Sequence, residues 1–117
     1  DTLSLHDALP IFVHIGEGVM IGGASAVSQD IPDFCLAEGN RAVVRGLNSV
    51  GLKRRFERED ITAIQSAYKQ LFRSESPIKE TAAKLLESET NEKVLQMCNF
   101  IMESTRGIPY ERKNNGQ

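Results

Sequence analysis

Between His14 and Pro32 the chain reads HIGEGVMIGGASAVSQDIP, and within it Ile15, Ile21 and Val27 fall six residues apart, with Gly16 and Gly22 each following an isoleucine. A helix repeats its apolar face every 3.6 residues and a strand every two, so a unit of six belongs to neither. It fits a solenoid in which each hexad makes one flat side of a triangular coil. The aliphatic residue points inward and stacks on its counterpart one coil away, while small residues let the chain turn the corner. Three hexads make about one turn. A lone turn would leave a full ring of strand edge unpaired and its aliphatic residues stacked on nothing, so the spacing predicts the end of a longer β-solenoid. A hairpin sheet with chance spacing is the competing reading.

The rest of the chain follows a different pattern. Seven of the nine glycines lie in the first 51 of 117 residues, whereas 12 of the 14 basic and 10 of the 16 acidic side chains lie from Lys53 onward. An architectural boundary is therefore expected between Asp30 and Gly51. Beyond it the apolar period is helical. Ile61, Ile64, Tyr68, Leu71 and Phe72 form one stripe, and Ile78, Ala82, Leu85 and Leu86 a second. Val94, Leu95, Cys98, Ile101 and Met102 form a third. Ser76 before Pro77 and then Thr90 are the expected helix caps, Arg106-Gly107 and Pro109 end the last helix, and a shorter helix is expected from about Gly46 to Arg55.

A formal charge of -2 gives no global attraction to nucleic acid or anionic membrane, and no apolar run is long enough to span a bilayer. Cys35 and Cys98, far apart with no secretory signal pattern, read as reduced thiols of a cytoplasmic protein, with no metal site implied.

The stretches IGEGVMIGGASAVSQDIPDFCLAEGNRA, GLNSVGLKRRF, DITAIQSAYKQLFRS and STRGIP, in that order, closely resemble the carboxyl-terminal part of the acyl-ACP–UDP-N-acetylglucosamine O-acyltransferases, the family that opens lipid A synthesis. The match runs from about Phe12 to Arg112. The resemblance implies a homotrimer of left-handed parallel β-helices with hexapeptide repeats, each followed by a carboxyl-terminal α-helical domain. It implies transfer of a 3-hydroxyacyl group from acyl carrier protein to UDP-N-acetylglucosamine, with no cofactor. On this reading residues 12–45 are the terminal coil and connector, 46–112 the helical domain and 113–117 a tail. Asp1 to Ile11 does not resemble the family and reads as a foreign leader; relatives carry His-Gln-Phe where this chain has Pro10-Ile11-Phe12.

The family's catalytic base is a histidine on an earlier coil. His6 and His14 are the only histidines here, neither matches it, and no catalytic residue is assigned. By resemblance, Asn48, Arg54 and Arg55 bind the UDP-sugar, the guanidinium groups being suited to a diphosphate. Gly23 matches the position that limits acyl-chain length. Lys53 and Arg58, with the two arginines, are candidate docking charges for the acidic carrier protein. Val50 stands where relatives often carry an acid, which leaves the acceptor open between UDP-N-acetylglucosamine and its 3-amino analogue. A solvated basic turn is the plain alternative for Lys53 to Arg55, and a non-enzymatic helical module binding an acidic partner is the alternative for the whole.

Overall fold

The computed structural model describes residues 13–111, so the leader proposed for residues 1–11 and the tail 113–117 lie outside the described residues. Three strands, β1 (Met20–Ile21), β2 (Cys35–Glu38) and β3 (Val43–Leu47), precede four helices: α1 (Ser49–Arg55), α2 (Arg58–Phe72), α3 (Ile78–Ser88) and α4 (Glu92–Glu103).

The hexad residues do stack. β1 pairs parallel to β2 with Met20 opposite Leu36 and Ile21 opposite Ala37, and an isolated parallel bridge joins Ile15 to Ile31. Backbone bonds from Gly16 to Ile31 (2.8 Å), Gly22 to Ala37 (2.9 Å) and Ala42 to Ala26 (2.8 Å) complete the rungs. These three pairs of Cα partners between the coils are each sixteen residues apart, two fewer than three hexads. The chain therefore turns early, between Val27 and Ile31, and a second, partial coil lies directly beneath the first. Ile31 and Ala37 are fully buried, whereas Ile15 and Ile21 above them remain 44% and 40% exposed. The difference follows from stacking: each lower residue is covered by the coil above it, and the upper coil is covered by none of the described residues.

β3 then doubles back antiparallel on β2, pairing Cys35 with Leu47 and Glu38 with Val43, with a bulge between Leu36 and Ala37. Here the structure departs from the expected helix start at Gly46. Gly46 and Leu47 are strand, and the helix begins only at Ser49, capped by Asn48, whose side chain accepts from the Gly51 N–H at 3.1 Å. The other caps shift by one residue. Pro77 rather than Ser76 precedes α3, and Asn91 rather than Thr90 caps α4, accepting from Lys93 and Val94 at 2.9 and 3.2 Å. Asn91 is the better placed cap because one carbonyl oxygen serves two amides of the first turn.

The predicted stripes supply the core, with Met97 fully buried beside them and Met102 turned out to 37% exposure. Ile31, Phe34, Cys35 and Ala37 of the lower coil share one cluster with Ile64, Leu71, Val94 and Ile101 of the helices, so the bundle closes the end of the prism. Burial pushes the Cys98 thiol up to about 11 and the Cys35 thiol higher still; both are free and protonated.

The STRGIP motif ties the last helix to the coil. Ser104 donates to Asp30 Oδ2 at 2.6 Å and accepts from the Gly107 N–H at 3.1 Å. Gln29 Nε2 donates to the Arg106 carbonyl at 3.0 Å, and the Asp30 N–H to the Gly107 carbonyl at 3.1 Å. Gly107 sits at φ +91, a left-handed conformation that glycine adopts without the strain a Cβ would bring.

Candidate functional site

The basic trio sits in the last turn of α1, a seven-residue helix anchored by Leu52, which is 2% exposed. Cations at a helix carboxyl end complement its dipole, which accounts for the trio's placement but not for its neighbours. Asn48, at the other end of the helix, donates from Nδ2 to the carbonyl of Gly18 on the upper coil at 3.1 Å. Gly18 itself adopts φ +68, and Arg55 Nη1 lies 2.9 Å from its missing Cβ. Both ends of α1 thus close onto one tight turn of the solenoid.

That turn carries Glu17, and Arg55 forms an ion pair with it. Glu17 is held by more than Arg55. Gln96 of α4 donates from Nε2 to Glu17 Oε1 at 2.7 Å and to Asp33 Oδ2 at 3.0 Å, while the Glu17 N–H donates to Asp33 Oδ1 at 2.7 Å. The Gln96 amide, then the Arg55 guanidinium and Lys93, hold the Glu17 carboxyl below its usual range. Burial holds Asp33 above its own, against the bonds it accepts. Arg55 and Lys93 both approach the ring of Phe56, with 5.3 and 5.1 Å to its centroid. The structure therefore gathers Asn48, Gly18, Glu17 and Arg55 with Lys93, Gln96 and Asp33 from other elements. Sequence reasoning found Asn48 and Arg55 and missed the rest. The available signal was an acid between two glycines, Gly16-Glu17-Gly18, in a half of the chain poor in charge.

Arg54, Lys53 and Arg58 are exposed and form no ion pair among the described residues. Val50 is 56% exposed on α1. Gly23 lies apart, on the exposed turn after β1, and a Cβ there would meet nothing within 4 Å. The positive φ of that turn falls on Ala24, at 58°, so backbone geometry does not demand glycine at position 23.

His14 stands on a separate recess of about 150 Å³ lined also by Asp30, Phe100, Glu103 and Ser104. Its Nδ1 lies 3.7 Å from Asp30 Oδ1 and its side chain is 78% exposed. The order is serine to aspartate to histidine, with the hydroxyl donating to the carboxylate and the imidazole on the carboxylate's far side, so the three are not arranged as a triad with histidine between acid and nucleophile. His6 lies outside the described residues.

A family profile described as UDP N-acetylglucosamine O-acyltransferase, domain 2, matches residues 30–109. The chain belongs to the UDP-N-acetylglucosamine O-acyltransferase family. Over 103 residues it is 61% identical to the acyl-[acyl-carrier-protein]–UDP-N-acetylglucosamine O-acyltransferase of Nautilia profundicola, covering 87% of this chain and 40% of that protein. The Sulfurovum protein of the same name is 53% identical, covering 88% and 40%. Among solved structures, the UDP-N-acetylglucosamine acyltransferase from Campylobacter jejuni superimposes with a TM-score of 0.83 at 54% identity, over 86% of this chain and 40% of that one. The Arabidopsis acyltransferase gives 0.74 at 34% identity, over 84% and 38%. The chain thus spans about 40% of the length of its acyltransferase relatives, and it shares their β-helix end and helical domain. No helix among the described residues is long and apolar enough to cross a membrane.

Proposed function

We propose that this chain is the sugar-nucleotide-binding carboxyl-terminal part of an acyltransferase that moves a 3-hydroxyacyl group from acyl carrier protein to the 3-hydroxyl of UDP-N-acetylglucosamine, in the cytoplasm and as a homotrimer. In that reaction the sugar oxygen attacks the thioester carbonyl, a C–O bond replaces the C–S bond, and the carrier leaves as its thiol. A base must take the hydroxyl proton. Among the described residues no histidine is placed to do so, and by itself the chain binds rather than transfers.

The observation that carries this reading is the joint between α1 and the coil, where Asn48 spans Gly18 and the helix while exposed Arg54 follows in the last turn. Arg54 is free to meet a diphosphate with paired donors. Arg55, already engaged by Glu17, is a conditional contact. Lys53 and Arg58 remain as docking charges for the acidic carrier, and Gly23 as the limit on acyl length. Residues 12–45 serve as solenoid end and 46–112 as the helical domain. UDP-N-acetylglucosamine, rather than its 3-amino analogue, is the acceptor that the family description favours.

Titration calorimetry of the folded chain with UDP-N-acetylglucosamine tests the reading. Arg54→Ala should weaken binding about ten-fold or more, since a charge-assisted hydrogen bond is worth about 1.5–3 kcal/mol. A folded chain that binds no UDP-sugar would reject it in favour of a helical module for an acidic protein.

A further inference from the structure

Two cations from different helices, Arg55 and Lys93, converge on one ring, and the group that answers them is a carboxylate of the chain itself. That carboxylate is accessible. The Glu17 side chain is 35% exposed and that of Arg55 43%, so the pair lies at the surface, where exchange with a dissolved anion is unobstructed. Behind it the cluster is tied together: Gln96 bridges Glu17 to Asp33, and Gly18, in a conformation few other residues adopt, leaves room for the guanidinium. Arg54, one residue away, lacks any such counter-ion among the described residues.

We propose that Glu17 is a built-in occupant of an anion site made by Arg55 and Lys93 beside Phe56, and that a phosphate group displaces it on binding. This rests on the reading of Arg54 and Arg55 as diphosphate contacts and adds a specificity device to it. A doubly charged phosphate with three acceptor oxygens outcompetes a single carboxylate for a guanidinium fork, whereas a carboxylate ligand of equal charge does not. The tether sets a threshold that weak anions fail to cross. Asp33 does not take part in the exchange, because its oxygens are committed to the Glu17 N–H and to Gln96.

The probe is inorganic pyrophosphate, titrated calorimetrically into the full chain and into Glu17→Gln, which preserves size and keeps an amide oxygen for Gln96. Removing the internal competitor should lower the pyrophosphate Kd about five-fold, the equivalent of the ~1 kcal/mol at the upper end for an exposed ion pair. The gain should vanish in Glu17→Gln/Arg55→Ala. A second measurement is independent of any nucleotide. Phenylglyoxal should modify Arg55 more slowly than Arg54 in the parent chain and at a matching rate in Glu17→Gln, read by peptide mass mapping. Glu17→Asp, which keeps the charge but is one methylene shorter, should fall between parent and Glu17→Gln in both measurements. An unchanged or higher pyrophosphate Kd in folded Glu17→Gln or Glu17→Asp, or equal labelling of the two arginines in the parent, would overturn the proposal. Absence of UDP-N-acetylglucosamine binding with the pyrophosphate gain intact would instead count against the nucleotide-sugar reading alone.

Discussion

Removing one hydroxyl, in Ser104→Ala, should cost the chain more than its size suggests. Ser104 is 5% exposed and its partner Asp30 1%, so neither recovers the lost bond from bulk water. The 2.6 Å contact is a charge-assisted O–H to carboxylate bond, for which the net value is about 1.5–3 kcal/mol. The Gly107 N–H loses its acceptor as well, and being only part-buried it adds about 1 kcal/mol or less. The expected loss is therefore ~2–4 kcal/mol. With a urea slope of about 1.5 kcal/mol/M, the unfolding midpoint should fall by ~1.3–2.7 M at unchanged slope. The control is Ser88→Ala, whose hydroxyl donates to the Lys84 carbonyl on an exposed helix face and whose loss should stay within ~0.5 kcal/mol. If Ser104→Ala behaves like the control, the clamp between the last helix and the coil contributes nothing and STRGIP needs another explanation.

Gly18→Ala places a Cβ at φ +68, 2.9 Å from Arg55 and 3.2 Å from the Phe34 ring, and should lose about 1–3 kcal/mol in chemical denaturation. The stability of the parent relative to Asp33→Asn should decline as pH rises from 3.8 through the raised value of Asp33, because the folded state holds that proton longer than the unfolded chain; a flat difference across that window would remove burial as the cause. Glu17 has the opposite sign: its contribution is present above 4.5 and is lost as pH falls through its lowered value, which the same titration of Glu17→Gln would expose. Gly23→Met should fold with a midpoint unchanged within ~0.5 kcal/mol, given the open space around it. Carried into a full-length relative, it should move acyl-transfer preference toward shorter donors, and unchanged selectivity would refute the length-limiting role.

The solenoid was legible because a period of six has few physical origins, and the helices because each carries an apolar stripe. The second coil was not, since the shortened corner at Ser28 to Asp30 shifts Ile31 out of phase with Val27 and hides the continuation. Helix caps were misplaced by a residue for a related reason. Thr90 and Asn91, or Ser76 and Pro77, satisfy the same local preference, and only the packing of the finished helix decides between them. In the candidate site, Asn48 and Arg55 share one local segment and could be read together. Glu17, Asp33, Lys93 and Gln96 could not, because 79 residues separate Glu17 from Gln96 and no local rule joins them.

The early corner also decides the chemistry at the joint. A coil of sixteen residues puts Asp33 beneath Glu17 and Asp30 beneath His14. A regular coil of eighteen would instead have set Cys35 beneath Glu17 and Pro32 beneath His14. Neither of those offers a carboxylate to an amide above it. The corner this sequence takes thus places both buried acids where the helical domain grips them, Asp30 through Ser104 and Asp33 through Gln96. A polar anchor of this kind fixes the rotation of the bundle about the prism axis, which a purely apolar contact would leave loosely specified. Insertion of two residues between Val27 and Asp30 would restore the hexad count and leave the apolar pattern intact. By this reasoning it should leave the domain about as stable as the parent, since Asp30 and Asp33 move along the chain by the same two residues that the coil gains and stay beneath His14 and Glu17; a large loss in chemical denaturation would show that the short corner is required for its own sake.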